Sequence, residues 1–247
     1  MSYESGFADV YDKFTENTDI SGRAEYICSL LSEFGIKNGI LLDLACGTGS
    51  LSAELINRGY DLICVDSSFD MLSAAREKLA EFKDKALILE QDMRDLDLYG
   101  TIKACVCSLD SINHITEKED VQTVFNKVSL FTEPGGVFIF DVNSVYKHRE
   151  ILGNNTFVYE DENDFLVWQN SYDESDNSVF MTLDIFSLHK TGKYIRYCDE
   201  ITERAYETKD LIEMLKKAGF SEICIFGDMT REKPKETEER IYFAARK

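Results

Sequence analysis

The sequence predicts an α/β fold: an open sheet with helices on both faces and an antiparallel β insertion after the fifth strand. Three observations lead there. An apolar run, Ile40-Leu41-Leu42, breaks into a turn with two glycines, Gly47 and Gly49, and continues at helical spacing over 50–56. Short apolar runs then alternate with helical stretches as far as residue 142, the pattern of strands joined by helical crossovers. Between 146 and 205 the period shortens to strict alternation, interrupted by the turn sequences Asp173-Glu174-Ser175-Asp176-Asn177 and Lys190-Thr191-Gly192-Lys193.

Taken in order, 7–14 is rich in aromatic residues and predicts a short helix before the sheet. It serves either as packing on the domain edge or as a lid whose Tyr11 and Phe14 cover a ligand, because aromatics near a terminus need something to bury them. Ser21 is placed to cap the next helix, which runs to about residue 34 and stops at Gly35. The first strand is built for burial on both faces. The second, 60–65, ends at Asp66, and a helix follows over 69–82 with Met71 in its first turn. The third strand, 86–90, leads into Gln91-Asp92-Met93-Arg94-Asp95. The fourth, 103–109, opens into a polar loop, Asp110-Ser111-Ile112-Asn113-His114-Ile115, and a helix over 117–131. Pro134-Gly135-Gly136 predicts a turn before a fifth strand at 137–142. Beyond the alternating segment, Thr208 is placed to cap a helix ending at 218, and strands follow at 222–226 and 241–245. The expected organisation is one domain made of 1–145 and 206–247, with 146–205 inserted as a cap or a dimer contact.

Composition narrows the classes. With 247 residues the chain can bury one well-formed core with an insertion, or two small ones. No apolar run approaches the roughly 18 residues of a membrane span, and the N-terminus has neither the basic region nor the apolar core of a secretory signal, so the cytoplasm is the expected location. A net charge of −19 argues against nucleic acid and anionic membranes as partners. The seven cysteines show no paired or metal-ligand spacing, so neither a disulfide framework nor a metal site is expected.

The chemistry starts at the glycine turn. Glycine lets the chain bend sharply and lets a ligand approach where a Cβ would intrude. Ser52 stands where a dinucleotide fingerprint has its third glycine, and Asp43 places a carboxylate at the strand end. That charge repels a pyrophosphate and suits a cationic ligand. Asp43-Leu44-Ala45-Cys46-Gly47-Thr48-Gly49 after an apolar strand resembles motif I of the class I S-adenosylmethionine-dependent methyltransferases. Asp66 stands where an acid accepts from both ribose hydroxyls of an adenosine, although it could also cap the following helix, as Ser67 or Ser68 could. Asp92 is a third acid just past a third strand, placed to accept from an adenine amino group. Met71 either lies against the adenine or packs in the core.

The resemblance covers nearly the whole chain and implies a seven-stranded Rossmann-like sheet and S-adenosylmethionine as cofactor. It implies that the Gly47-Thr48-Gly49 backbone lies along the methionine portion and that Tyr11 closes over the site. Ala45, Cys46, Ser67, Met93, Ser108 and Leu109 complete the expected cofactor contacts. The runs Val10-Tyr11-Asp12, Gln91-Asp92-Met93-Arg94-Asp95 and Glu200-Ile201-Thr202-Glu203 are similar to the N-methyltransferases of nucleotide-linked amino sugars. The implied partner is a small-molecule methyl acceptor, an amine among the candidates. His114, in the loop after the fourth strand, is the candidate base, with Tyr11 beside it as a catalytic candidate; His148 and His189 receive no role. A nicotinamide-dependent oxidoreductase and a non-catalytic cofactor-binding regulator are the competing readings.

Overall fold

The computed structural model describes residues 19–161 and 163–247; the aromatic segment with Tyr11 and Phe14 lies outside them. The chain runs through α1 (Ile20–Glu33), β1 (Ile40–Leu44), α2 (Ser50–Asn57), β2 (Asp61–Asp66), α3 (Phe69–Lys78) and β3 (Ala86–Glu90). It continues through β4 (Ile102–Cys107), α4 (Lys118–Phe131) and β5 (Thr132–Asn143). Four further strands follow: β6 (Thr156–Glu160), β7 (Asp164–Asp173), β8 (Ser178–Leu188) and β9 (Tyr194–Arg204). The chain closes with α5 (Thr208–Lys217), β10 (Glu222–Gly227) and β11 (Arg240–Arg246).

Seven strands make the main sheet, in the order β3-β2-β1-β4-β5-β11-β10. The first five pair in parallel, and β11 enters antiparallel between β5 and β10. Side chains alternate across each strand, so the sheet feeds two cores. Leu41, Cys64, Ala104 and Val106 point to one face with α1, α2 and Leu72 of α3. Leu42, Leu44, Cys105 and Cys107 point to the other with α4 and α5. There Phe125, Phe138, Phe140 and Phe243 form a run of ring contacts with centroids 4.7–5.6 Å apart. Central strands buried on both faces explain the continuous apolar runs of the sequence. No helix among the described residues is long and apolar enough to cross a membrane.

The alternating segment forms a separate four-stranded antiparallel sheet, β6-β7-β8-β9. The first of its strands carries no clear alternation with polar residues and is missed by periodicity. One face buries Leu166, Ile185, Val179, Met181 and Ile201, and the first two pack on Met71 of α3. The second sheet therefore leans over the end of the main one.

Several local expectations shift. Asp19 caps α1 by accepting from Gly22 N at 2.8 Å, whereas Ser21 lies inside the helix and bonds Glu54. Glu207 occupies the cap position expected for Thr208, without a side-chain bond. Pro134-Gly135-Gly136 is an irregularity within β5: Ile102 pairs with Thr132 and Ala104 with Val137, leaving four residues of β5 opposite Lys103 alone. Gly136 is required there, since a Cβ would stand 2.7 Å from the Lys103 carbonyl oxygen and 2.9 Å from that of Glu133. The strand expected over 103–109 stops at Cys107, because Leu109 and Asp110 both turn to positive φ, 58° and 56°.

Candidate active site

Strands β1, β2, β3 and β4 end on one side of the sheet, the end at which open α/β sheets bind ligands. A cleft of about 250 Å³ opens there, lined by Ala45, Asp66, Ser67, Asp92, Met93 and His114 among others. Ala45 holds φ at 60°, uncommon for a residue with a Cβ, and Gly47 and Gly49 continue the turn at 54° and 76°. Among the described residues nothing stands within 4 Å of where a Gly47 Cβ would be, so the backbone here is open to a ligand. Asp66 braces this turn: Oδ2 accepts from Gly47 N at 2.9 Å and Oδ1 from Ser68 N at 2.8 Å. Each oxygen keeps a second lone pair, the pair of acceptors that two ribose hydroxyls need. Ser68, not Asp66, caps α3.

Asp92 is more heavily engaged. Its Oδ1 accepts from Arg94 N and Nε, both at 2.9 Å, and Oδ2 from Arg94 Nη2 at 2.6 Å. The hydrogen bonds from Arg94 hold its carboxyl below the usual carboxylate range, leaving one free lone pair on Oδ2. Asp43 does not face the cleft. It is 2% exposed and accepts from Ser52 Oγ. Burial pushes its carboxyl up to about 6, opposed by the Ser52 hydrogen bond and helped by the neighbouring Asp66. The residue in place of the third glycine thus supplies the hydroxyl that satisfies Asp43. Thr48 is buried and tied to Ser50 and Lys78. Cys46 is buried behind the turn. Met71 packs against Leu166 and Ile185 of the second sheet and is not among the residues lining the cleft.

The ends of β4 and β5 carry a dense network. Asp141, fully buried, accepts from Ser108 Oγ at 2.7 Å, Leu109 N at 2.9 Å, Asp110 N at 3.1 Å and the Arg240 guanidinium. This one carboxylate pins the two positive-φ residues, so Ser108 and Leu109 shape the loop and are not among those lining the cleft. Arg240 also grips Asp110 Oδ1 through both terminal nitrogens at 3.0 Å. Burial opposes the Asp110 charge, but Arg240 and then Lys147 and His114 hold its carboxyl well below the usual range. Asn113 fixes the loop from within, bonding Asn143 and the Arg204 carbonyl.

His114 closes this end of the cleft. Its Nε2 lies 3.6 Å from Glu203 Oε1, while its Nδ1 is buried and has no hydrogen-bond partner among the described residues. The structure thus brings together Ala45, Asp66, Ser67, Asp92, Met93 and His114 of the expected site. Tyr11 lies outside the described residues. Sequence reasoning gave no role to Arg240, Asp141, Lys147 or His148, and met Glu203 only within the run Glu200-Ile201-Thr202-Glu203 that carries the resemblance. Glu203 had a signal, an acid at an inward-facing parity of an alternating strand; the others had none in their local sequence.

The family model for a methyltransferase domain matches residues 41–136. The Bacillus subtilis (strain 168) protein named "Putative methyltransferase YqeM" is 33% identical over 248 residues, covering 100% of this chain and 98% of its own. The crystal structure of an S-adenosylmethionine-dependent methyltransferase from Clostridium acetobutylicum ATCC 824 superposes with a TM-score of 0.89 at 33% identity, covering 97% of each chain. Over 141 residues the chain is 30% identical to the dTDP-3-amino-3,4,6-trideoxy-alpha-D-glucopyranose N,N-dimethyltransferase of Streptomyces venezuelae, covering 56% of this chain and 58% of that one.

Proposed function

The chain belongs to the S-adenosylmethionine-dependent methyltransferases, and we propose that it methylates the nitrogen of a small-molecule amine, with His114 accepting the proton that the nitrogen loses. Family membership sets aside the nicotinamide-dependent oxidoreductase and the non-catalytic regulator. The cofactor fits the residues present: an open glycine turn, two free acceptors on Asp66, one on Asp92, and a cleft whose cation among the described residues, Arg94, is bonded to Asp92. In this reading Asp66 takes the ribose hydroxyls and Asp92 the adenine amino group, while Ala45, Ser67 and Met93 wall the cleft. When bound, the cofactor supplies a methyl group already activated by its sulfonium.

The protein's share is then to hold a neutral nitrogen in line, exclude water and receive a proton. Alignment of this kind is worth roughly 7–11 kcal/mol in favourable cases. In this reading the second sheet, which packs onto α3 through Leu166 and Ile185, serves as the cover over the acceptor. An amine is favoured because the cations at this end, Arg94, Lys147 and Arg240, are each bonded to side-chain oxygens, and carboxylates outnumber them. The likeness to an amino-sugar N,N-dimethyltransferase points the same way.

The observation that carries the reading is the His114 Nδ1: buried, unpartnered, on a residue that lines the cleft. The test is a panel of small amines, amino acids and amino sugars with labelled S-adenosylmethionine, scored by label on nitrogen. His114→Ala is expected to lower kcat by about 100-fold, in the range for a positioned base; a loss of less than a few-fold removes the proton-accepting role. Label on oxygen or carbon in the best acceptor overturns the amine assignment.

A further inference from the structure

Two buried groups beside His114 have no part in that mechanism. Glu203 is 5% exposed, on the inward face of β9 opposite Val179. Its Oε2 accepts from Asn143 Nδ2 at 3.0 Å and lies 3.2 Å from His148 Nε2. Its Oε1 faces His114 Nε2 at 3.6 Å, an ion-pair separation longer than a hydrogen bond, of the kind that tightens when substrate binds.

His148 is wholly buried, on the single π-helical turn Lys147–Leu152, with Nδ1 3.1 Å from the Asn177 carbonyl oxygen. A carbonyl only accepts, so Nδ1 carries a proton. A neutral imidazole would then turn the lone pair of Nε2 onto an ionised Glu203, which has only lone pairs to offer. The 3.2 Å contact is favourable only with one more proton between them, on Nε2 or on the carboxyl. Glu203 and His148 therefore share a proton, and the same carboxyl group looks at His114 through its other oxygen.

We propose that Glu203 is a positioning residue for His114: anchored by His148 and Asn143, it holds the His114 proton on Nε2 and leaves the lone pair on Nδ1. This rests on the reading of His114 as proton acceptor. When the methylated nitrogen gives up its proton, the N–H bond breaks and an Nδ1–H bond forms. The resulting imidazolium points its second N–H at Glu203 and is stabilised there. The proton shared with His148 stays in place, and the one on Nδ1 leaves to solvent after product release. Other charges around this pair are Asp110 at the end of β4, Lys147 beside His148, Arg204 next to Glu203 on β9, and Arg240 on β11; Asn143 links Asp110 to Glu203.

The test combines nitrogen-15 spectra of the three histidines, assigned by single replacements, with kinetics of Glu203→Gln. The intact protein should show His114 as the Nε2–H tautomer and His148 bonded at both nitrogens. Glu203→Gln should release His114 into a mixture of tautomers and lower kcat at least about 10–100-fold, the loss that follows removal of the carboxylate behind a metal-bound histidine. The acceptor KM and the affinity for S-adenosylhomocysteine should stay unchanged. Loss of the carboxylate also removes the charge that faces the imidazolium, so the acid limb of the kcat profile should differ from that of the intact protein. A mixed His114 tautomer in the intact protein overturns the proposal, and needs no variant that folds. So does a Glu203→Gln protein whose tautomer and acid limb are unmoved. A fixed tautomer that Glu203→Gln releases, together with a fully active His114→Ala, would leave the positioning intact and discard the proton-accepting role.

Discussion

The two halves of the sheet's carboxyl end are built differently. Under β1–β3 the acids are few, and two of them, Asp66 and Asp92, are left with spare lone pairs at a cleft: Asp66 holds the backbone amides of Gly47 and Ser68 and still has two acceptor positions. Under β4, β5 and β11 the charges are buried or half-buried and answer one another, from Asp141 and Asp110 through Arg240 and, by way of Asn143, to Lys147 and Glu203. An open acceptor belongs to a side that waits for a ligand. A network closed on itself, apart from the Nδ1 of His114, belongs to a side that must hold a strained loop in one shape before a ligand arrives. Leu109 and Asp110 in the left-handed region cost of order 1–3 kcal/mol each and persist because Asp141 ties down both amides.

The largest break in this contrast is Asp141→Ala. It leaves Arg240 half-paired in the interior and strips partners from Ser108, Leu109 and Asp110. Removing one partner of a buried ion pair costs about 3–5 kcal/mol, so thermal denaturation should show a clear fall in Tm. Loss of less than about 1 kcal/mol would mean the network contributes little to the loop.

On the open side, Asp66→Asn should scarcely affect stability by comparison but should weaken S-adenosylhomocysteine. An amide keeps one acceptor and turns two N–H groups toward donors, so the ribose loses at least one charge-assisted hydrogen bond worth about 1.5–3 kcal/mol. Calorimetric titration should find the affinity lower by about 10–100-fold. An unchanged affinity would take the ribose away from Asp66.

The same division governs what the sequence disclosed. The strands and the three acids at their ends were legible because burial on both faces enforces apolar runs and because a glycine turn announces a ligand. The cap of α1 was placed two residues late because Asp19 and Ser21 are equally good acceptors by type, and only the start of the helix chooses between them. The irregularity at 133–136 looks like a turn because Gly135 and Gly136 serve both purposes. Glu203, His148 and Arg240 were invisible as a set, since they come from β9, a π-helical turn and β11 and meet only through tertiary packing. A ligand-facing half written in local motifs can be found from one dimension; a self-saturated half written in long-range pairs cannot.

Asp43 sharpens the comparison at its smallest expected effect, because it is the one acid on the open side that is buried like those opposite. Among the described residues it has no cation beside it and takes a side-chain hydrogen bond from Ser52, and burial raises its carboxyl to about 6. A raised acid binds its proton more tightly in the folded state, so folding is favoured at low pH and that advantage is lost as pH climbs from about 4 to about 6. Asp43→Asn keeps the shape and an acceptor for Ser52 but cannot ionise. The difference in unfolding free energy between the two proteins should therefore change by up to about 2–3 kcal/mol across that window, with the variant gaining on the parent as pH rises. Urea titrations at a series of pH values measure this difference with the remaining carboxylates cancelling. A flat difference would place Asp43 among the well-solvated acids, and the contrast between the two halves would then lie in partners alone.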